Sequence, residues 1–370
     1  MKRLLILITL FSLFLAPAVA AQEKTVKQEF YKAKVTAITK EGTKNVGGKE
    51  NAYQLVDLRI LDKPLTNTIV HVEYGGIFSI TEDQKTHVGD TVIITKTTDL
   101  KGKPHFSIID RYRLDKILFI ALAFVAAVIF FAGKRGVGSI IGMGISLAII
   151  VLFIIPQILN GADPLGVSIL GCIVILVTTI YLAHGFSQRT TIAVVATALS
   201  LFLTGIFATI FVKIALLSGL GSEDAYILQQ SFTHPINFHG LLLGGILIGA
   251  LGVLDDVTTT QTAAVYELAE TDKKLTVPEL IKKGLRIGKE HIVSVVNTLV
   301  LAYAGASIGI FIFLVLATRE HIQPLWVILN SEVITEEIIR TLAGSMGLIL
   351  AVPLTTVLAA FFSRYSIKIK

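Results

Sequence analysis

Seven apolar stretches, 116–132, 140–155, 165–183, 192–217, 238–254, 292–317 and 338–362, each reach or approach the length that crosses a bilayer. Inside hydrocarbon no water is available to the backbone, so stretches of this kind satisfy their own amides as helices. The chain is therefore expected to fold as an α-helical membrane bundle of seven transmembrane helices over residues 114–370. Its composition agrees, with 53% hydrophobic and only 16% charged residues in 370.

The loops between these stretches sort by charge. Lys134 and Arg135, then Arg189, then Lys273, Lys274, Lys282, Lys283, Arg286 and Lys289, and finally Arg364, Lys368 and Lys370 fall on one side, against Arg319 and Arg340 on the other. By the positive-inside rule the basic side and the C-terminus are cytoplasmic, the residues before the first span are extracytoplasmic, and the bilayer is the cell (plasma) membrane. The net charge of +6 is then a matter of topology. No basic tract alternates with aromatics, so nucleic acid is not an expected partner. The single cysteine, Cys172, lies inside an apolar stretch, which excludes a disulfide framework and a thiolate metal site. No metal and no cofactor is expected.

Residues 1–20 follow the plan of a secretory signal peptide: Lys2 and Arg3, an apolar core, then Ala18, Val19 and Ala20. From there to residue 113 the hydrophobic period falls to two. Ala33, Val35 and Ala37 alternate with polar residues, as do Val56, Leu58 and Ile60, then Val70, Val72 and Tyr74, then Val92 and Ile94 after the Gly89-Asp90 turn. The expectation for 21–113 is a small exported all-β domain, an OB or SH3-like barrel. His71, His87 and His105 fall on separate elements and read as surface residues.

Polar residues at membrane depth are costly unless they are paired, hydrated or used. The glycine-rich run at 238–254 ends in Asp255 and Asp256, which point about 100° apart on a helix and so face different surroundings. Thr258 and Gln261 have capping-box spacing, which predicts a break after the aspartates and a cytoplasmic amphipathic elbow over 258–291. Thr276 and Glu279, with Pro278 between them, predict a second start. On that second helix Lys282, Lys283, Arg286 and Lys289 form a basic face suited to anionic headgroups. In the next span Asn297 stands beside Ser294 and Thr298, either as an interhelical hydrogen-bonding residue or as a ligand. Glu336 and Arg340 are spaced for an i, i+4 pair, and Pro353 frees a carbonyl and marks a helix kink. Gly138, Gly142 and Ser146, Gly245 and Gly249, and Gly305 and Gly309 form small-residue faces of the kind that pack helices closely.

The segments GGILIGALGVLDDVTTTQTAAVYEL, NTLVLAYAGAS and EEIIRTLAGSMGLILAVPLTT occur in this order and resemble the signature blocks of the YibE/F-like family of bacterial multi-pass membrane proteins. The resemblance implies an integral membrane protein and brings no catalytic residue with it.

Two function classes follow from the residues. One is a transporter or permease-like protein for a small solute or ion, with Asp255 or Asp256 binding a proton or cation, Asn297 a neutral ligand and Pro353 allowing bending. The other is a membrane scaffold or envelope assembly factor whose exported domain, 21–113, binds an envelope protein. An enzyme is not expected, because G-x-S-x-G, H-E-x-x-H and P-loop signatures are missing and no second span carries an aspartate.

Overall fold

The computed structural model describes residues 28–76, 78–98, 104–231, 236–320 and 322–369. The signal-peptide expectation for 1–20 lies outside these residues. The chain forms two compact units, one ending at Ala127 and the other beginning at Val128.

The first unit contains one five-stranded antiparallel sheet. Its strands are β1 (Glu29–Val46), β2 (Lys49–Ile60), β3 (Ile69–Gly75), β4 (Thr91–Thr98) and β5 (Pro104–Arg111), in the order β3-β2-β1-β4-β5. The long first strand serves both halves, pairing Val35 with Leu58 of β2 and Ala33 with Val92 of β4. Period-two alternation puts Tyr31, Ala33, Val35, Val56, Leu58, Ile60, Val70, Val72, Val92, Ile94 and Ile108 into a single core. The expected alternation fails at one place. The register shifts between Val35 and Ala37, and it is Ile38, opposite Val56, that packs against the core beyond the bulge. The two end strands, β3 and β5, also lie beside each other.

The second unit is helical. Helix α1 (Leu114–Ile149), whose residues up to Ala127 belong to the first unit, has non-helical geometry at Gly133, with φ 56° and ψ −136°. It continues through a π-helical stretch, Ile150–Ile154, and a last turn, Ile155–Leu159. It is followed by α2 (Pro164–His184), α3 (Gln188–Ile214), α4 (Glu223–Ser231), α5 (Phe238–Thr271), α6 (Val277–Ala306), α7 (Ile308–Arg319), α8 (Leu325–Leu329) and α9 (Glu332–Ile369). Five helical segments are long and apolar enough to cross a membrane, and α6 with α7, bent by 68°, counts as a sixth if the pair is one broken span. Most of the N-terminal turns carry legible caps. Asp163 accepts from the Gly166 amide at α2, Ser187 from Thr190 at α3 and Asn237 from Gly240 at α5. The capping box expected at Thr276 and Glu279 is present and opens α6.

The expected break after Asp256 is absent. Helix α5 runs without interruption from Phe238 to Thr271, and the turn falls after Asp272. The physical reason is tertiary. Thr258 and Gln261 are buried at 0% and 1% exposure and take partners from other helices, so neither serves as a cap. Residues 258–271 therefore continue α5, and α6 begins at Val277.

Candidate functional site

The centre of the helical unit is the packing of α3, α5 and α9 on one another, with α2 and α6 against its flanks. Close approach is set by glycines. A Cβ at Gly347 on α9 would collide with Thr204 of α3, one at Gly288 on α6 with Val352 of α9, and one at Gly244 on α5 with Ser168 of α2. In hydrocarbon such contacts supply the packing that water exclusion cannot. Of the small-residue faces expected from sequence, Gly138 and Gly142 do meet α2 at Leu182 and Thr179, and the Gly249 position lies near the Tyr303 hydroxyl. Gly245, Gly305 and Gly309 have open space beside them.

Between these three helices runs a polar seam. Thr197, Ser200 and Thr204 line it on α3, Thr258, Gln261 and Thr262 on α5, and Ser345, Thr355 and Thr356 on α9, all of them buried. Several hydroxyls are satisfied inside their own helix, as Ser200 Oγ is by the Ala196 carbonyl at 2.8 Å and Thr204 Oγ1 by Ser200 at 2.8 Å. Among the described residues, three hydrogen bonds from this seam cross between helices. Thr197 and Thr258 share a short hydroxyl–hydroxyl hydrogen bond. Gln261 Nε2 donates to the Gly284 carbonyl at 2.9 Å and to Thr356 Oγ1 at 2.7 Å, tying α5 to both α6 and α9.

Asp255 stands one helical turn before Thr258 of this seam. It lies 17 residues into α5, about 26 Å along the axis at 1.5 Å per residue, near the far edge of a hydrocarbon layer of about 30 Å. Residues 255, 258, 262 and 266 recur at helical spacing, so Asp255, Thr258, Thr262 and Tyr266 form one stripe along α5. Asp255 Oδ1, Thr262 Oγ1 and Tyr266 Oη are buried and have no hydrogen-bond partner among the described residues, as is also true of Ser345 Oγ and Thr355 Oγ1 on α9. Buried oxygens normally have partners, so a carboxylate and hydroxyls left open along one seam form a set of hard donors able to receive a proton, a small cation or water.

The other expected residues are placed apart from it. Asp256 is exposed, as the 100° step from Asp255 requires. Asn297 is exposed on α6 and makes no side-chain hydrogen bond among the described residues, so it is not brought to either aspartate. Pro353 sits inside α9, which stays helical through it, and its missing N–H leaves the Ile349 carbonyl without its usual donor. Lys282, Lys283, Arg286 and Lys289 are all exposed along α6.

At the opposite end of the bundle Glu336 does not pair with Arg340. Arg340 bonds Glu337 at 3.1 Å. Glu336, 6% exposed, accepts from the Gly221 amide at 2.9 Å instead. One turn earlier Glu332 Oε1 accepts from the Ser218 amide, from Ser218 Oγ at 2.7 Å and from the Gly219 amide at 2.9 Å. Two carboxylates of α9 thus hold the 218–221 loop by its backbone. Helical spacing shows which side chains could meet along one helix, and it carries no information about a loop more than 100 residues earlier in the chain.

The described residues contain no group of three or more His, Cys, Asp or Glu able to hold a metal ion. A bundle of apolar helices around a buried polar seam defines a polytopic α-helical membrane protein. The YibE/F-like protein family matches residues 120–365, two thirds of the chain, and the chain belongs to that family. No curated protein matches it. No solved structure matches it either.

Proposed function

We propose that this protein is a transporter or permease-like protein of the plasma membrane for a small solute or ion, in which Asp255 takes up a proton or a small cation. The observation that carries the reading is the buried Asp255 Oδ1, without a partner among the described residues, one turn from Thr258 of the hydroxyl-lined α3–α5–α9 seam. A structural carboxylate at this depth would hold a donor, because leaving it open is costly. Pro353 on α9 supplies a helix that can bend beside the seam. The break at Gly133 and the bend between α6 and α7 together support seven spans, with α1 counted as two and the bent pair as one. With the β unit outside, every basic loop is then cytoplasmic, and Lys282, Lys283, Arg286 and Lys289 lie against anionic headgroups.

The experiment is flux of protons or monovalent cations into proteoliposomes holding the full chain, compared with Asp255→Asn and Asp256→Asn. Loss in Asp255→Asn with Asp256→Asn near parent is expected, while parental flux in Asp255→Asn removes the carboxylate from the mechanism.

A second reading, an envelope scaffold or assembly factor, is favoured by the β unit. It has a complete core of its own and large exposed apolar side chains, Phe30 at 58% and Phe78 at 54%. Its strand order, closed by the approach of β3 to β5 and sharing a bulged β1, supports the OB type of barrel. Removing residues 22–113 should then strip co-purifying envelope proteins from the chain, and an unchanged partner set would end this reading.

A further inference from the structure

A second polar site lies at the same end of the bundle as Tyr266, one turn of α5 beyond Asp255 and Asp256. Arg135 of α1, His184 at the end of α2, Thr190 of α3, and Thr259 and Thr260 of α5 converge with Arg189 around a cavity of about 400 Å³. Its remaining walls are largely apolar, including Ile180 and Ala193. No carboxylate is among the lining residues. Arg135 and Arg189 make no salt bridge or side-chain hydrogen bond among the described residues. Their side chains come from helices α1 and α3 and line one hollow together with His184 of α2.

Two uncompensated guanidinium groups facing one cavity repel each other and gain from an anion between them. The planar fork of donors on each suits the oxygens of a phosphate group, and Thr260 and the His184 ring add hydrogen-bonding groups around it. The hollow also opens at the start of α3, a 27-residue helix whose positive end faces it. On the seven-span reading proposed above, residues 135, 184 and 189 flank apolar spans, which puts the cavity at headgroup depth.

We propose that this cavity binds a phosphate group, presented by an anionic phospholipid headgroup or by free phosphate. The exposed basic face of α6 could hold anionic lipid by diffuse attraction alone. What distinguishes the hollow is convergence, with two exposed arginines, a histidine and a free threonine hydroxyl lining one open cavity.

The test uses the full chain in nanodiscs. In one arm the discs contain phosphatidylcholine with phosphatidylglycerol, and native mass spectrometry reads the phosphatidylglycerol retained on the protein. In the other the discs contain phosphatidylcholine alone, and calorimetry reads the binding of inorganic phosphate. Retention of the lipid, binding of phosphate, or both is expected, and the pattern identifies the source of the group. Arg135→Gln with Arg189→Gln should weaken it by about tenfold or more, from the loss of charge-assisted bonds. Lys273→Gln with Lys274→Gln removes the same charge from another exposed basic loop and should change it by less than about twofold. Thr260→Trp, which fills the cavity and leaves every charge in place, should match the arginine double variant and reads the same result if that variant fails to fold. Binding of neither probe, parental binding in the Thr260→Trp protein, or equal losses in the arginine and lysine double variants overturns the proposal.

Discussion

Gln261 on α5 and Thr356 on α9, 95 residues apart, are joined by a 2.7 Å hydrogen bond at 1% and 0% exposure, and the same amide reaches the Gly284 carbonyl on α6. One side chain therefore links three helices at the foot of the polar seam. Replacing Gln261 by Ala removes both bonds and opens a hole among closely packed helices. The expected cost is about 2 kcal/mol of stability, read as a lowered unfolding midpoint in micelles. An unchanged midpoint would show that the link carries no net energy.

Glycines divide into two groups with opposite expected outcomes. Gly288→Ala and Gly347→Ala each drive a methyl group into a neighbouring helix, at Val352 and Thr204, and should destabilise by about 1–3 kcal/mol. Gly245→Ala and Gly305→Ala meet open space and should be neutral or stabilising by about 0.5–1 kcal/mol, since Ala is the better helix former. Thermal unfolding of the four single variants side by side checks the division, and equal behaviour across the groups would contradict it.

The same division shows what was legible in the sequence and what was not. The apolar runs, the alternation of Val56, Leu58 and Ile60, and the Thr276–Glu279 capping box rest on local periods or local bonds, which the sequence contains in full. Asp255 also stood out, because a carboxylate at membrane depth is conspicuous by type alone. Thr258 and Gln261 matched a capping pattern that tertiary partners override, since Thr197 and Thr356 satisfy them inside a continuous helix. Spacing placed small residues on faces at Gly245 and Gly305, but which face meets another helix depends on rotations that spacing does not fix. Glu336 was assigned to Arg340, its nearest helical neighbour, whereas its partner is the amide of Gly221. Arg135 and Arg189 are of the same kind, since they line one cavity only through tertiary packing.

The loop held by α9 yields its own expectation. Glu332→Ala removes an acceptor used by three groups of Ser218 and Gly219, and should cost about 1–2 kcal/mol. It should also speed amide exchange at residues 218 and 219. Gly221→Ala should loosen the same loop from the other side, because a Cβ there meets the Glu336 carboxylate at 2.6–3.0 Å. Unaltered exchange in both variants would mean that the carboxylates do not hold the loop.

In the β unit a pH effect is expected at the end of β5. The Arg113 side chain, bonded at 2.6 Å, and the Arg111 amide hold the Asp110 carboxyl below the ordinary carboxylate value. A carboxyl depressed in the folded state contributes stability that is fully present above its unfolded value, about 3.9, and is lost as pH falls through the folded value. Arg113→Gln should raise the Asp110 titration midpoint, observed by carbon-13 NMR of the labelled protein. It should leave stability near neutral pH little changed, because the pair is exposed. A midpoint that does not move would assign the depression to the Arg111 amide alone.

Stability and flux should separate at Asp255. If the carboxylate were a structural element it would hold a partner, and Asp255→Leu would unfold the bundle by several kcal/mol, the usual result of breaking a buried polar pair. Asp255 Oδ1 has no such partner among the described residues, so an apolar side chain of similar size removes an unsatisfied oxygen from the packed interior. Asp255→Leu is therefore expected to keep or raise the unfolding midpoint while abolishing cation- or proton-dependent flux, the trade-off of a site kept for function at the expense of stability. Thr197→Val offers the contrast, since it breaks the one hydroxyl link between α3 and α5 in the seam and should lower the midpoint by about 1 kcal/mol. A fall in midpoint for Asp255→Leu as large as that for Gln261→Ala would make the aspartate a structural residue and withdraw it as the ion-binding group.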